Sequence, residues 1–233
     1  MHCLFRRSLA ECDFFQGFSD CHSHLLPDVD DGVQSMDEAL ALLALYERLG
    51  IRSVRLTPHV MEDIPNATAA LKRRFEQLKA AYAGPVRLSL GAEYMLDRLF
   101  EERLAAGDLL ALDPEGQLLV ETSYFNPPMN LYDLLAETKR KGWHPVLAHP
   151  ERYAYQDAAG YERLKASGVR FQLNLFSLTG AYGKHARDKA RMLIKKGYYD
   201  CIGTDVHSLA FFEGQIALPR FSRKMLQTLI EIK

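Results

Sequence analysis

The segment Asp20–Gly32, DCHSHLLPDVDDG, sets two histidines two residues apart and three aspartates within four positions, beside a proline and a glycine. The same residue types return along the chain. His59 stands in TPHV, Glu93 in GAEY, Glu121 in VETS, His149 with Glu151 and Arg152 in AHPER, and Asp205 with His207 in GTDVH. Imidazole and carboxylate donors without cysteine suit divalent manganese, iron or zinc. The candidate ligands are His22, His24, Asp31, His59, Glu93, Glu121, His149, Asp205 and His207. They outnumber the roughly four to six positions around one ion, so two or three ions sharing carboxylates are expected. Clustered ions polarise a phosphoryl oxygen, lower the pKa of a bound water and brace both the attacking and the leaving oxygen. The expected chemistry is therefore metal-assisted hydrolysis, with a phosphate ester as the expected substrate. Arg152 fits that chemistry, because a guanidinium grips phosphate oxygens in pairs and can stabilise charge on the leaving oxygen.

Such residues must be held by elements that bring distant segments together. Short apolar runs predict strands near 18–22, 51–57, 86–91, 117–121, 144–148, 169–174 and 199–203. Helices are expected near 36–49, 66–82, 96–106, 130–141, 158–167, 185–196 and 221–232. The clearest is 36–49: Ser35 with Glu38 forms a capping box, Ala39, Leu42, Leu43, Tyr46 and Leu49 make one apolar stripe, and Gly50 ends it. Seven alternations of strand and helix predict a parallel α/β fold, either an open doubly wound sheet or a closed barrel. No glycine-rich phosphate loop follows the first strand, which weakens a dinucleotide-binding reading. In a parallel barrel every strand's C-terminal end opens on one face, where barrel active sites lie. The candidate ligands sit at those ends, and five of the eight histidines are among them. Residues 1–17 are expected to be a loosely held extension, and residues 18–233 one domain.

Composition excludes other classes. With 29 basic and 30 acidic side chains the net charge is -1, so nucleic-acid binding through bulk positive charge is not expected. The LKRRFEQLK run reads as a solvated helix face. No apolar run reaches the roughly 18 residues of a membrane helix, and the N-terminus lacks a signal-peptide pattern, so cytoplasmic residence is the expectation. Four cysteines (Cys3, Cys12, Cys21, Cys201) show no C-x-x-C pair, against both a zinc ribbon and a disulfide scaffold. None has an arginine six residues on; Leu9, Phe18, Pro27 and His207 stand there instead. Phosphate removal would then use a metal-activated hydroxide rather than a cysteine thiolate. His144 reads as structural at a strand start, His185 as solvated, and His2 as part of the loose extension. Asp28 and Asp30 read as turn formers. Asp20 is expected to hydrogen-bond a ligand histidine from behind, and strand alternation to turn Cys21 away from His22 into the core, with Cys201 also in the core. Tyr124, Phe125, Tyr153 and Tyr155 are expected to line a mouth for an aryl phosphate.

Taken together, DCHSHLLPDVDDG, TPHV, GAEY, VETS, AHPERY and GTDVH resemble the PHP (polymerase and histidinol phosphatase) superfamily in order and spacing. Within it, DVDDG after H-x-H and the Glu-Arg-Tyr after His149 resemble the CpsB/YwqE-type protein tyrosine phosphatases of bacterial capsule and exopolysaccharide operons. The resemblance covers roughly residues 18–210. It implies a distorted (β/α)7 barrel and three metal sites: one of His22, His24, Glu93 and Asp205, a second of Glu93, Glu121 and His149, and a third of Asp31, His59 and His207. It implies manganese before iron or zinc. Arg152 matches the family's phosphate-contacting arginine, and Arg152, Asp205 and His207 form the expected catalytic set. The implied substrate is a tyrosine-phosphorylated protein, in particular a bacterial tyrosine autokinase that controls capsule synthesis and export, and the resemblance leaves room for a homo-oligomer. An arginine that the family often carries after the last D-x-H is absent, the next being Arg220. The rival readings are a histidinol-phosphatase-like enzyme for small molecules and a non-catalytic regulatory module, which would show broken ligand sets.

Overall fold

The computed structural model describes residues 7–218 and 220–232; His2 and Cys3 lie outside them. In chain order the elements are β1 (Ser19–Ser23), α1 (Met36–Leu49), β2 (Ser53–Leu56), β3 (His59–Val60), α2 (Thr68–Ala81) and β4 (Arg87–Leu90). Then come β5 (Glu93–Met95), α3 (Arg98–Ala106), β6 (Gln117–Glu121), α4 (Leu131–Arg140), β7 (His144–Leu147) and α5 (Ala158–Ala166). The chain finishes with β8 (Arg170–Asn174), α6 (Gly183–Lys196), β9 (Cys201–Gly203), α7 (Leu209–Ile216) and α8 (Arg223–Ile232).

Pairing between these strands is parallel throughout, in the orders β1-β2-β4 and β3-β5-β6-β7-β8-β9. The fold is thus α/β with a curled parallel sheet. The expected strands 51–57 and 86–91 are found as β2 and β4, and each is followed by a short strand that the sequence did not announce. β3 follows Thr57 and Pro58, and proline has no N–H to give a ladder. β5 follows Gly91 and Ala92. β2 and β4 pair toward β1, and β3 and β5 pair toward β6. At the far side Asp205 N donates to His22 O at 2.8 Å and His24 N to Val206 O at 3.0 Å, so the segment after β9 meets the end of β1.

Side-chain alternation divides the apolar residues between two clusters. Leu118 and Val120 of β6 join the large core, whereas Leu119 joins Val146, Ala148 and Leu112 in a separate small cluster. Glu93 and Leu119 are register partners, as are His59 and Glu93, so the functional residues continue the line of the small cluster.

Three expectations change. Residues 8–17 are not loose: Leu9, Phe14 and Phe15 are buried, Phe15 packs on Phe212 of α7, and Arg7 exchanges two backbone hydrogen bonds with Phe221. The physical reason is apolar area, since each such ring contributes about 1.5–3 kcal/mol when buried. Helix α7 is unforeseen; it is apolar on most sides, so no stripe marks it, and Ser208 caps it. The capping box on α1 is half made. Ser35 accepts from Glu38 N, but Glu38 Oε1 accepts from Leu209 N and so caps α7 instead of its own helix.

Candidate metal centre

β1 carries His22, with His24 just beyond its end, and its pairing with β2 shifts register between Asp20 and Ser23. His22 and His24 present ring nitrogens to each other, Nε2 to Nε2, at 3.1 Å. Glu93 Oε2 lies 3.2 Å from both, and Asp205 Oδ1 lies 3.4 Å from His22 and 3.3 Å from His24. These four residues offer donor atoms all within 4.8 Å of one another, and all four are buried. A second such group is His59, Glu93 and Glu121, with His59 Nδ1 3.2 Å from Glu93 Oε2 and 3.1 Å from Glu121 Oε1. A third is His24, Asp31, His59 and His207, where Asp31 Oδ1 stands 3.6 Å from both His59 Nε2 and His207 Nε2.

Eight of the nine expected ligands therefore fall in these groups, and the ninth, His149, lies against Glu93 beside them. The first grouping matches the one the family resemblance implied. In the second, His59 stands where His149 was expected; His149 Nε2 faces the other oxygen of Glu93 at 2.9 Å and Glu121 Oε2 at 3.8 Å. The third gains His24. Glu151, adjacent to Arg152, is not a member: its carboxylate accepts from Asn174 N, Ser177 Oγ and Tyr199 Oη.

The donor set fits divalent ions. Glu93 Oε2, His59 Nδ1 and His149 Nδ1 are buried without a hydrogen-bond partner among the described residues. Buried polar atoms are ordinarily paired, so the orphaned Glu93 Oε2 and His59 Nδ1, 3.2 Å apart, together with two imidazole nitrogens aimed at each other, fit groups that would share cations.

Without ions, protons take up part of that role. Burial would push His22 down, but Glu93 and Asp205 outweigh it and raise it to about 9. His24 is likewise raised well above its ordinary value, against burial, by Asp30 and Asp205. Burial would raise the Glu93 and Asp205 carboxyls, yet the histidines hold both well below the usual range. His207, 3.6 Å away, lowers Asp31 to about 2.

Several residues hold the ligands from behind. Asp30 Oδ2 accepts from His24 Nδ1 at 2.8 Å and from His59 N at 2.9 Å, so Asp30 is more than a turn former. Gln172 Oε1 accepts from His22 Nδ1 at 3.0 Å and from His149 N at 3.1 Å, fixing two ligand loops with one amide. Asn174 Nδ2 donates to Asp205 Oδ2 at 2.8 Å. Asp20 does not reach an imidazole; it accepts from the backbone N of His22 and Thr204 and from the hydroxyls of Thr204 and Tyr46. It thereby ties the end of β1 to the end of β9. Cys21 is buried as expected, but its thiol neighbours that of Cys201 across the β1–β9 seam. Gly203 is obligatory at the same seam, since a Cβ there would lie 2.5 Å from His22 Cβ. His149 (φ 32°) and Asp205 (φ 52°) adopt left-handed backbone, a cost of order 1–3 kcal/mol that concentrates at functional sites.

Arg152 Nη1 donates to Asp205 Oδ2 at 2.7 Å. Its guanidinium lies against the Tyr124 ring and the Tyr182 ring. Of the expected mouth aromatics, Tyr124 is at the site and Phe125 is 75% exposed. Tyr153 is not at a mouth: it is fully buried, and its hydroxyl donates to Ala148 O. Tyr155 bonds Thr122 at 2.6 Å. Arg220 lines a separate surface cleft with Arg191 and Phe221.

Gln172, Asn174 and Tyr182 escaped the sequence reading. A signal existed for the first two: RFQLN places neutral polar residues at alternate positions of a buried strand, at the same end where the other strands carry ligands.

Comparison with known proteins gives the chain's family and fold. The tyrosine-protein phosphatase YwqE of Bacillus subtilis (strain 168) is 27% identical over 196 residues, which cover 82% of this chain and 77% of that one. The tyrosine-protein phosphatase CpsB of Streptococcus pneumoniae is 28% identical over 203 residues, covering 82% and 83%. A solved chain from the crystal structures of YwqE and CpsB, described as unique metal-dependent tyrosine phosphatases, matches with a TM-score of 0.76. It is 24% identical, and the match covers 93% of this chain and 95% of that one, which shows a shared fold. The family model for capsular polysaccharide synthesis proteins of the CpsB/CapC type matches residues 18–217. That span holds all nine clustered residues and Arg152, and the chain belongs to the CpsB/CapC family.

Proposed function

We propose that this protein hydrolyses phosphotyrosine in proteins, using two or three divalent ions, with manganese expected before iron or zinc. The observation that carries the reading is the pair of facing nitrogens of His22 and His24, 3.1 Å apart, beside the shared oxygens of Glu93 and Asp205. His22, His24, Asp31, His59, Glu93, Glu121, His149, Asp205 and His207 would hold the ions. When bound, the ions supply Lewis acidity toward the phosphoryl oxygens and an activated water. The chain's own residues do the rest. Arg152 offers its remaining N–H groups to the phosphoryl oxygens while Asp205 anchors Nη1. Asp30 and Gln172 fix the ring orientations of His24 and His22. His207 is 31% exposed at the rim beside Asp31, where it would hold the outermost ion close to the departing tyrosine oxygen.

Support comes from the relatives' names, tyrosine-protein phosphatases in each case, and from the absence of any Cys-x5-Arg segment. The filled ligand set speaks against a non-catalytic regulatory module. The same reading includes a (β/α)7 barrel, counting β2 with β3 and β4 with β5 as single interrupted strands, and a cytoplasmic tyrosine autokinase of capsule synthesis as the substrate. No helix among the described residues is long and apolar enough to cross a membrane.

The test is phosphate release from a phosphotyrosine peptide and from histidinol phosphate, with Mn²⁺ and after chelation. Metal-dependent release favouring the peptide is the expected result. Preference for histidinol phosphate would move the substrate to small molecules, and activity that survives strong chelation would overturn the mechanism.

A further inference from the structure

Arg152 is enclosed on three sides. Its guanidinium carbon lies 4.4 Å from the centroid of the Tyr124 ring and 4.1 Å from that of the Tyr182 ring. The two rings arrive from different loops, one after β6 and the other immediately before α6. One edge is also taken: Nη1 donates to Asp205 Oδ2, which in turn accepts from Asn174 Nδ2. Nε and Nη2 meet no acceptor among the described residues.

A planar cation between two ring faces cannot rotate about its long side chain without leaving both rings. The attraction is that of a cation for the negative face of each ring, so it depends on the rings and not on their hydroxyls. We infer that Tyr124 and Tyr182 are positioning residues that clamp Arg152, leaving only its Nε–Nη2 edge open to an incoming oxyanion. The nature of that oxyanion, a phosphoryl group, rests on the function proposed above; the clamp is a property of the protein itself. The clamp also makes the position specific for arginine. Lysine carries the same charge but has no flat faces to hold and no second edge to offer.

The test uses the full chain loaded with metal. Tyr124→Ala and Tyr182→Ala are each expected to lower kcat on a phosphotyrosine peptide by about tenfold, with KM within about twofold. Tyr124→Phe should restore kcat; it is the cleaner rescue, because the Tyr182 hydroxyl also bonds Asn174. Arg152→Lys should be as poor as Arg152→Ala. Metal content and melting temperature accompany each variant, and Leu replaces Ala at either position if the Ala variant does not fold. Alanine variants that keep wild-type kcat, or a Tyr124→Phe variant as poor as Tyr124→Ala, would overturn the clamp. A second readout does not depend on turnover. In the zinc-loaded, diamagnetic protein the Arg152 Nε–H resonance, assigned by its loss in Arg152→Lys, should be ring-current shifted. It should move toward the ordinary arginine position in Tyr124→Ala and stay in Tyr124→Phe. An unshifted resonance in the wild type defeats the clamp. A shifted one in a protein that releases no phosphate leaves the clamp standing and defeats the proposed function.

Discussion

The inner and outer parts of the cluster use the same residue types under different conditions. His22, His24 and Glu93 have fully buried side chains, and Asp205 is 2% exposed. In the outer group Asp31 is 66% exposed and His207 31%. Inside, every charge must be answered by a neighbour, because an unpaired buried charge is expensive. Outside, water can answer. The inner group is therefore part of what holds the seam between β1 and β9 together, while Asp31 and His207 of the outer group face solvent.

The largest effect should come from removing an inner carboxylate. Glu93→Ala leaves His22, His24, His59 and His149 without their common counter-charge, and about 3–5 kcal/mol of stability should go with it. Denaturant melts and metal analysis should show a less stable protein that retains no inner ion. A Glu93→Ala protein of ordinary stability would erase the distinction between the two parts.

Next in size is a pH effect. His22 is raised to about 9 and His24 also well above 6.5, so in metal-stripped protein their stabilisation is full below pH 6.5 and fades as pH climbs through about 9. Glu93 and Asp205 are held low and stay ionised over that range, so they do not offset the loss. The melting temperature of stripped protein should fall between pH 7 and 9.5. That of metal-loaded protein should not, because the ions replace the protons. Equal slopes for the two forms would mean that the inner histidines carry no such protons.

The smallest effect belongs to the rim. Asp31→Ala should weaken the outermost ion and cost about 10–100-fold in activity, with stability changed by less than about 0.5 kcal/mol. Titration with metal while following both turnover and melting would separate the two. A large drop in stability would show that the outer group is as structural as the inner.

The clustering of the candidate ligands was legible in the sequence because histidine and carboxylate recur at the ends of successive strands, and a parallel α/β fold brings such ends together. Their supports were less so. Asp30 and Asp31 are identical neighbours, and only the turn at Gly32 decides which carboxylate faces His24 Nδ1 and which faces the rim. Gln172 and Asn174 carry no charge to draw notice. His59 and His149 both suit the second grouping, and strand register, which the residue types do not encode, selects His59. The short strands β3 and β5, beyond Pro58 and Gly91, were missed because two or three residues carry no periodicity of their own. The packing of residues 8–17 was written in Phe14 and Phe15, but their partner, α7, had no pattern to announce it.

The tie between Asp20 and Thr204 joins residues 184 positions apart. Contacts of that separation form late, because the chain must surrender much of its freedom before they repay it. His22 and His24 leave the ribosome long before Asp205, and until β9 docks beside β1 they have no inner site to share. A folding chain stopped anywhere short of that docking holds histidines but no assembled centre. The inner cluster of His22, His24, Glu93 and Asp205 is thus complete only in a chain whose two ends have met.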